Sequence, residues 1–271
     1  MHAPAQKIIP PDTLLLAYRS GIFPMADSRD DPEVFWVEPR LRAILPLDGF
    51  HCSRSLAKVI RQDRFIVTCN EAFDEVLAAC AAPRAGRSES WISERIAASY
   101  RTLHMSGHAH SIECWLPDGE GGRRLVGGLY GVSFDRVFCG ESMFSRTRDS
   151  SKVALAWLVA LLRRAGAELL DCQFLTEHLA SLGAAEIPQA RYLELLADAC
   201  RPGPDADLPG AYSALLAEAA GLGAAAGDAL ASGAAAASVA AVEELAPPRP
   251  WGGNGDSSPG KLIAQSLTHT S

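Results

Sequence analysis

The chain has 271 residues, 48% of them hydrophobic, and a formal net charge of −7. This length and composition predict a globular protein with at least one full hydrophobic core. The sequence contains no apolar run of about 18 residues, and its start (MHAPAQKIIPPD) lacks the basic and apolar parts of a secretory signal, so we predict a cytoplasmic protein without a membrane-spanning segment.

The first fifty residues predict a small N-terminal domain. Residues 11–20 (PDTLLLAYRS) are typical of a short helix with an N-cap at Asp12 and an end near Gly21. Residues 22–47 alternate short apolar runs with turn-forming residues, which indicates turns and short strands. We therefore assign residues 1–50 to this domain.

A helix with one basic side follows. Residues 53–63 (SRSLAKVIRQD) offer a serine N-cap and an apolar side, while basic residues recur at helical spacing on another side. The basic residues are Arg54, Lys58 and Arg61, with Arg64 shortly after them. A solvated helix surface is the default interpretation, and contact with nucleic-acid phosphates is the alternative.

After this helix, the hydrophobic periodicity of the chain alternates between that of strands and that of helices. Residues 64–70 predict a strand, and residues 71–82 and 91–107 predict two helices. The segment 111–145 predicts three strands joined by the turns DGEGG and FDR, which is an antiparallel meander.

A helix, a strand and a further helix follow the meander. Ser150 or Ser151 is positioned to cap a helix over SKVALAWLVALLRRAG, and the short strand ELLDCQFL comes next. Strands that feed a helix returning to a strand imply a mixed sheet with that helix on one face. We therefore predict an α+β fold whose second domain covers residues 51–201.

The last seventy residues have a different composition. Residues 202–271 hold seven acidic and two basic residues, which leaves a net charge of only −2 on residues 1–201. They are rich in Ala, Gly and Ser, so we predict a low-complexity, disordered tail in which Leu262, Ile263 and Leu267 are the residues able to dock. Residues 1–201, which are nearly neutral overall, can still present a local basic surface.

Cysteine and histidine patterns argue against a metal. Seven cysteines occur without a C-x-x-C pair, which suits a reducing compartment. A nucleophilic role for Cys139 or Cys172 is disfavoured because each lies in an apolar strand without a neighbouring histidine in sequence. No nearby Cys or carboxylate completes a zinc site with His104, His108 and His110. We predict neither a metal nor a cofactor.

Polar residues in apolar surroundings mark a candidate site. Glu141 lies in the segment CGESMFSR, where a carboxylate would attract an ammonium or guanidinium group or form a salt bridge with Arg146. Asp171 and Gln173 are two residues apart on one predicted strand and so face the same side of the sheet. Asp171 has a structural alternative, which is pairing with an arginine or capping a helix.

Several segments together resemble one family. They are GIFPMA (21–26), FWVEP (35–39), HCSRSL (51–56), SWIS (90–93), GHAHSIE (107–113), LVGGLYGV (125–132), FCGESMFSR (138–146), DCQ (171–173) and ASLGAAEIP (180–188). Over about Thr13 to Leu196 the chain resembles leucyl/phenylalanyl-tRNA-protein transferases. The resemblance implies transfer of Leu or Phe, with Met a further candidate, from aminoacyl-tRNA to proteins that begin with Arg or Lys, as a mark for N-degron-dependent proteolysis. It also implies a small N-terminal domain followed by a domain like the GNAT acyltransferases.

The resemblance assigns roles to particular residues. It implies that Asp171 fixes the geometry, that Gln173 contacts the reacting amine and that Glu141 lies in the active cleft. It places a side-chain pocket for Leu or Phe at Leu129, Phe138, Leu155, Leu158, Leu162 and Leu170. By the resemblance, Met25 stands where some relatives carry a tryptophan that stacks on the terminal adenosine. Tyr18, Trp36, Trp91 and Tyr100 are further candidates for stacking on adenine, with burial in the core as the default interpretation. The candidates for contacts with tRNA phosphates are Arg54, Lys58, Arg61 and Arg64.

Two other functions are alternatives to aminoacyl transfer. A GNAT-type N-acetyltransferase binds acetyl-CoA with a glycine-bearing loop at a helix start. Here the corresponding segment SRTRDSSK has no glycine, which disfavours acetyl-CoA. A non-catalytic tRNA-binding protein is disfavoured by the presence of Asp171, Gln173 and Glu141, because binding alone does not need a paired Asp and Gln.

Overall fold

A computed structural model describes residues 8–83, 90–221 and 258–268. Its helices, in chain order, are α1 (Pro11–Arg19), α2 (Arg54–Arg61), α3 (Phe73–Ala81), α4 (Glu94–Met105), α5 (Ser150–Arg164), α6 (Glu177–Ala180), α7 (Gln189–Ala199), α8 (Leu208–Ala219) and α9 (Pro259–Thr268). Its strands are β1 (Phe23–Met25), β2 (Phe35–Val37), β3 (Leu41–Ile44), β4 (Ile66–Cys69), β5 (Ala109–Pro117), β6 (Arg123–Phe134), β7 (Val137–Ser145), β8 (Leu169–Gln173) and β9 (Ala185–Pro188).

A mixed seven-stranded sheet forms the centre, in the order β4-β5-β6-β7-β8-β3-β9. The β7–β8 pair is parallel and the other neighbouring pairs are antiparallel. The predicted meander is present as β5, β6 and β7, and the α5 helix makes the crossover to β8, so the α+β fold class is confirmed. Strand β3, from the N-terminal part of the chain, lies between β8 and β9.

Two hydrophobic layers cover the two faces of this sheet. One contains Leu14, Val76, Tyr100 and Tyr192, and therefore includes α1, α3, α4 and α7. The other is built around the buried residues Val153–Leu162 of α5, together with α2, α8 and α9. Apolar residues occur on all sides of α5, which fits its position between the sheet and the outer helices.

The helix starts differ in detail from the predictions. Helix α1 begins at Pro11 after Pro10, so Asp12 lies in the first turn and is not the N-cap. Helix α5 has Asp149 as its N-cap residue, in the left-handed region at φ 70° and without a side-chain cap, so Ser150 and Ser151 are its first two residues. The predicted serine cap is correct for α2, where Ser53 accepts a hydrogen bond from the Leu56 N–H.

The C-terminal tail requires a correction. The composition of residues 202–271 predicts disorder, but α8 and α9 are folded and pack against α5. Leu208 and Leu215 of α8 are buried, and so are Ile263 and Leu267 of α9. A few well-spaced apolar residues are enough to dock a helix that tertiary packing supports, which composition alone does not show. Residues 222–257, also part of that prediction, lie outside the described residues.

None of the helices in the described ranges is long and apolar enough to span a bilayer.

Candidate active site

A cavity lies where β7 and β8 diverge. Their parallel pairing runs from Val137↔Leu169 to Cys139↔Asp171 and stops there. Beyond this point the cavity, of about 640 Å³, is lined by residues 140–145 of β7 and by residues 172–174 at the end of β8. Such a gap between parallel strands gives a ligand access to groups that would otherwise be covered by the sheet.

A β-bulge turns Glu141 into this region. Tyr130 of β6 pairs with Ser142 and the next residue, Gly131, pairs with Gly140, so Glu141 is the extra residue of β7. A bulge redirects a side chain and is common next to active sites. Glu141 is 7% exposed and lines the cavity.

Three side chains hold the Glu141 carboxyl group. Tyr18 Oη lies 2.7 Å from Oε1 and Tyr100 Oη lies 2.8 Å from Oε2. Gln173 Nε2 donates to Oε1 over 2.9 Å. Arg146 does not supply the salt bridge considered above, because it donates to the Leu125 carbonyl oxygen at 3.3 Å.

Burial dominates the ionisation of Glu141. Loss of solvation raises its pKa to about 7, although the hydrogen bonds from Tyr18, Tyr100 and Gln173 act in the opposite direction. The carboxyl group can therefore exist in either protonation state near neutral pH. This is the range in which an acid–base group is most useful to an enzyme.

Asp171 is engaged in a buried ion pair. Arg42 of β3 donates from Nε to Oδ1 at 2.9 Å and from Nη2 to Oδ2 at 2.5 Å, and both side chains are fully buried. Tyr192 donates to Oδ2 at 3.0 Å. Asp171 does not line the cavity. Asp171 is therefore paired with an arginine, which is the structural alternative that the sequence left open. Because Asp171 does not line the cavity, it can act on a substrate only through other residues.

One such residue is Gln173. Its backbone N–H donates to Asp171 Oδ1 at 2.8 Å, while its φ of 62° lies in the left-handed region. A non-glycine residue in that region costs roughly 1–3 kcal/mol, which the surrounding contacts must offset. The Arg42–Asp171 pair therefore supports a turn that aims the Gln173 side chain into the cavity and at Glu141.

The predicted apolar pocket is partly assembled. Four of its residues line one wall of the cavity: Leu129, Leu155, Leu158 and Leu170. Phe138 and Leu162 do not line the cavity, and both are buried in the α5 layer of the core. The helical spacing of Leu155, Leu158 and Leu162 did not distinguish the wall of a cavity from the core behind it.

The predicted stacking residues separate into two groups. Met25 and Trp91 are partly buried and line the cavity, and Trp36 is 41% exposed on β2. Tyr18 and Tyr100 have no exposed surface, and their hydroxyl groups contact Glu141. A base cannot stack on a fully buried ring, so the stacking role proposed for Tyr18 and Tyr100 is not supported by this arrangement.

The basic side of α2 is exposed. Arg54, Lys58, Arg61 and Arg64 all face solvent, as a surface for phosphates requires. Among the described residues, no group of three His, Cys, Asp or Glu side chains is arranged to hold a metal ion. His104 Nδ1 instead lies 2.8 Å from the Ala109 carbonyl oxygen.

Neither candidate cysteine has the properties of a nucleophile. Cys172 lines the cavity, but burial and the nearby Asp171 raise its thiol pKa. Burial is also the main cause of the raised pKa of Cys139. A thiol whose pKa is raised is almost entirely protonated at neutral pH and is therefore a poor nucleophile.

Several residues of the site were not found from the sequence. Arg42 had a usable signal, because an arginine inside the apolar strand LRAIL raises the same question as Glu141 in its segment. Met143 and Phe174 also line the cavity, and Phe174 is 46% exposed. Tyr130 lines it too, and its buried Oη has no hydrogen-bond partner. Nothing local in the sequence separates these three from core residues.

The fold and the site together define an α+β protein with an enzyme-like cleft, in which a buried carboxyl–amide pair adjoins an apolar pocket. A family model described as leucyl/phenylalanyl-tRNA protein transferase matches residues 44–197, and one for the N-terminal domain of the same family matches residues 8–40. The chain belongs to this family of transferases, and the small N-terminal domain expected from the resemblance is confirmed.

Curated relatives agree with the family models. A protein of Novosphingobium aromaticivorans named leucyl/phenylalanyl-tRNA--protein transferase is 64% identical over 263 residues, which cover 97% of each chain. Proteins of the same name from Rhizorhabdus wittichii and Zymomonas mobilis are 60% and 57% identical. Those matches cover 70% and 71% of this chain, and 75% and 70% of the respective relatives.

Proposed function

We propose that this enzyme transfers Leu or Phe from aminoacyl-tRNA to the N-terminal α-amine of proteins that begin with Arg or Lys. The transfer forms a peptide bond and marks the acceptor for N-degron-dependent proteolysis in the cytoplasm. The names of the relatives support the donor. The observation that carries the proposal is the Glu141–Gln173 pair beside an apolar pocket, because it offers a cation-binding group next to a site for an apolar side chain.

The pocket is suited to the side chain of the donor amino acid. Its wall of Leu129, Leu155, Leu158 and Leu170, together with Met143, is apolar and offers no partner to a charged side chain. Such a pocket favours Leu, Phe or Met over polar amino acids. It discriminates between apolar side chains weakly, because one methylene group changes the binding free energy by only about 1–3 kcal/mol.

The chemical demands of the reaction are modest. An aminoacyl ester is an activated acyl group, so the enzyme must position it, admit an uncharged amine and stabilise the tetrahedral oxyanion. A peptide α-amine has a pKa of about 7.7–8.0 and is partly uncharged near neutral pH. Position and desolvation can therefore supply most of the rate enhancement.

Gln173 is placed to orient the attacking amine. Its Nε2 is committed to Glu141, which leaves Oε1 as the atom able to accept a hydrogen bond from a substrate N–H. An amide oxygen is a very weak base, so we assign Gln173 to orientation and not to proton removal. Asp171 acts as a positioning residue through the Gln173 backbone.

The tRNA would be held by stacking and by phosphate contacts. Trp91 and Met25 line the cavity and Trp36 is exposed, which supports stacking on the terminal adenosine at about 1–3 kcal/mol per base for an aromatic side chain. The exposed basic side chains of α2 would contact phosphates without reading sequence. This part of the binding should weaken steeply as the salt concentration rises.

We further propose a GNAT-like architecture for residues 51–201 and a small N-terminal domain for residues 1–50, whose strand β3 joins the central sheet. The support is the divergence of two parallel strands beside a crossover helix, with the cavity in the gap. The segment before α5 has no glycine, so it lacks the loop that would bind the pyrophosphate of acetyl-CoA.

The proposal is tested by following radiolabelled Leu or Phe from charged tRNA to a peptide with N-terminal Arg. We expect transfer to this peptide, no transfer to a matched peptide with N-terminal Glu, and a large loss with Glu141→Ala. Acetylation of the Arg peptide from acetyl-CoA without aminoacyl transfer would refute the assignment of the donor.

A further inference from the structure

Glu141, Tyr18 and Tyr100 form a closed ring of oxygen atoms. Tyr18 Oη lies 2.7 Å from Glu141 Oε1, and Tyr100 Oη lies 2.8 Å from Oε2. The two tyrosine hydroxyl oxygens are themselves only 2.6 Å apart. All three contacts have the length of O–H···O hydrogen bonds, and each of them therefore needs one proton between its oxygens.

The number of protons depends on the state of Glu141. Each tyrosine hydroxyl carries one proton, so an ionised Glu141 leaves two protons for three contacts. One pair of oxygens would then face each other within hydrogen-bond distance without a proton. A neutral Glu141 supplies the third proton, and every contact in the ring is then satisfied.

The position of Gln173 selects one arrangement of this ring. Gln173 Nε2 donates to Oε1, which makes Oε1 the carbonyl oxygen of the neutral acid and Oε2 its hydroxyl oxygen. Oε2 then donates to Tyr100, Tyr100 donates to Tyr18, and Tyr18 donates back to Oε1. In this arrangement Oε1 accepts two hydrogen bonds, which matches its two lone pairs.

We infer that the ring of Glu141, Tyr18 and Tyr100 holds a proton on Glu141 in the free enzyme, and that a substrate cation takes the place of this proton. The second half rests on the proposed function. When Glu141 releases its proton to solvent, both tyrosine hydroxyls donate to the carboxylate, and the contact between Tyr18 Oη and Tyr100 Oη lacks a proton. An ammonium or guanidinium group in the cavity has several N–H donors and can compensate the charge of the Glu141 carboxylate, which lines the cavity. Tyr18 and Tyr100 are therefore positioning residues that act through Glu141.

The groups around the ring do not titrate in its place. On the adjoining strands Tyr130 and Cys139 have pKa values well above their ordinary ranges, mainly through burial. Burial likewise raises the pKa of Tyr18 and of Tyr100. Asp171 and Arg42 are paired with each other, and burial lowers the pKa of His178 on the cavity wall. Glu141 is thus the group in this cluster that changes protonation near neutral pH.

Carbon-13 NMR of glutamate side-chain carboxyl groups tests the first half of the inference on the whole chain. The signal that disappears in Glu141→Gln identifies Glu141. We expect the free enzyme to show this carboxyl protonated at pH 6, with a midpoint near 7. A Glu141 carboxyl that is already ionised at pH 6 would overturn the inference.

Acceptor peptides test the second half of the inference, in which a substrate cation takes the place of the proton on Glu141. At pH 6, a saturating peptide with a free N-terminal Arg should convert the Glu141 signal to the ionised form. An N-acetylated Arg peptide, which keeps the guanidinium group, shows whether the α-amine or the side chain is the cation. Transfer without any change in the Glu141 signal would overturn this half. Failure of both transfer and conversion would count against the proposed acceptor, while the titration of the free enzyme decides the ring separately.

Discussion

Arg42 and Asp171 form an ion pair in which neither side chain is exposed to solvent, although 129 residues separate them in the chain. The pair joins β3 to β8 beside the cavity, and Asp171 also holds the Gln173 backbone N–H. Removal of one partner leaves the other charge buried without compensation. Such losses typically cost about 3–5 kcal/mol.

We therefore expect Asp171→Ala to lower the free energy of unfolding by about 3–5 kcal/mol, as measured by urea denaturation. The exposed pair Arg191–Glu194 gives a matched control, and Arg191→Ala should change stability by less than about 1 kcal/mol. Equal small effects of the two substitutions would contradict the structural role of Asp171. The same measurement shows how much of any lost activity is caused by unfolding.

Glu141 should make stability depend on pH. Its pKa is about 7 in the folded state and 4.5 ordinarily, so between these values the folded state keeps a proton that the unfolded state releases. The stabilisation is complete below pH 4.5 and decreases as the pH rises to about 7, by roughly 3 kcal/mol in total.

The isosteric variant Glu141→Gln isolates this contribution. Its amide supplies a donor and an acceptor at the positions of the neutral acid and does not titrate. We expect the difference in unfolding free energy between the variant and the natural chain to shift in favour of the variant as the pH rises from 5 to 8. A difference that stays constant over this range would exclude a raised Glu141 pKa.

The cavity wall should set the choice between Leu and Phe. Leu158→Ala enlarges the pocket. We expect the ratio of kcat/KM for Phe transfer to kcat/KM for Leu transfer to rise, by an amount equivalent to about 1–3 kcal/mol in activation free energy. The comparison uses both charged tRNAs with the same acceptor peptide.

Leu162→Ala is the matched control for this experiment. Leu162 lies on the same helix and is buried, but it does not line the cavity. We expect a loss of about 2–5 kcal/mol in stability without a change in the Leu-to-Phe ratio. A change in that ratio as large as the one caused by Leu158→Ala would show that selectivity responds to general loosening of α5.

The basic side of α2 should control the salt dependence of tRNA binding. The double variant Lys58→Ala, Arg61→Ala removes two exposed cations, so the slope of log affinity against log salt should become shallower by about 1–2. Filter binding at several salt concentrations measures it. Arg201→Ala, at the end of α7 on the other face of the sheet, should leave the slope unchanged.

The docked α9 helix should contribute to stability. Ile263 is 1% exposed and packs in the α5 layer, so Ile263→Ala should lower the free energy of unfolding by about 2–5 kcal/mol. The exposed Gln265 on the same helix provides the control, and Gln265→Ala should change it by no more than about 0.5 kcal/mol. Equal stability of all three chains would mean that α9 is not bound in solution.

Local sequence determined the elements whose pattern repeats over many residues. Helix α4 could be predicted because a period of 3.6 residues is visible in it. The meander could be predicted from the turns DGEGG and FDR that divide its strands, and α5 from a long apolar run that follows a serine. The segment around Glu141 could also be predicted to be functional, since a carboxylate among apolar residues needs a specific partner. The family resemblance rested on such contiguous segments.

Tertiary structure decided which residues meet. Glu141 is reached by Tyr18 from 123 residues away and by Tyr100 from 41 residues away. The sequence therefore suggested stacking rings where the fold contains a carboxyl-binding pair. Leu158 and Leu162 have the same chemistry and lie on one helix, yet only Leu158 lines the cavity.

The physical reason is the difference between local and non-local information. Hydrophobic periodicity reports that a side chain is buried, but it does not report what lies against it. Whether burial creates core, a pocket wall or a shifted pKa depends on strands and helices that are distant in sequence. For this protein the sequence determined most elements of residues 1–201 and the residues Glu141, Asp171 and Gln173, and the divergence of β7 from β8 decided which side chains share a site.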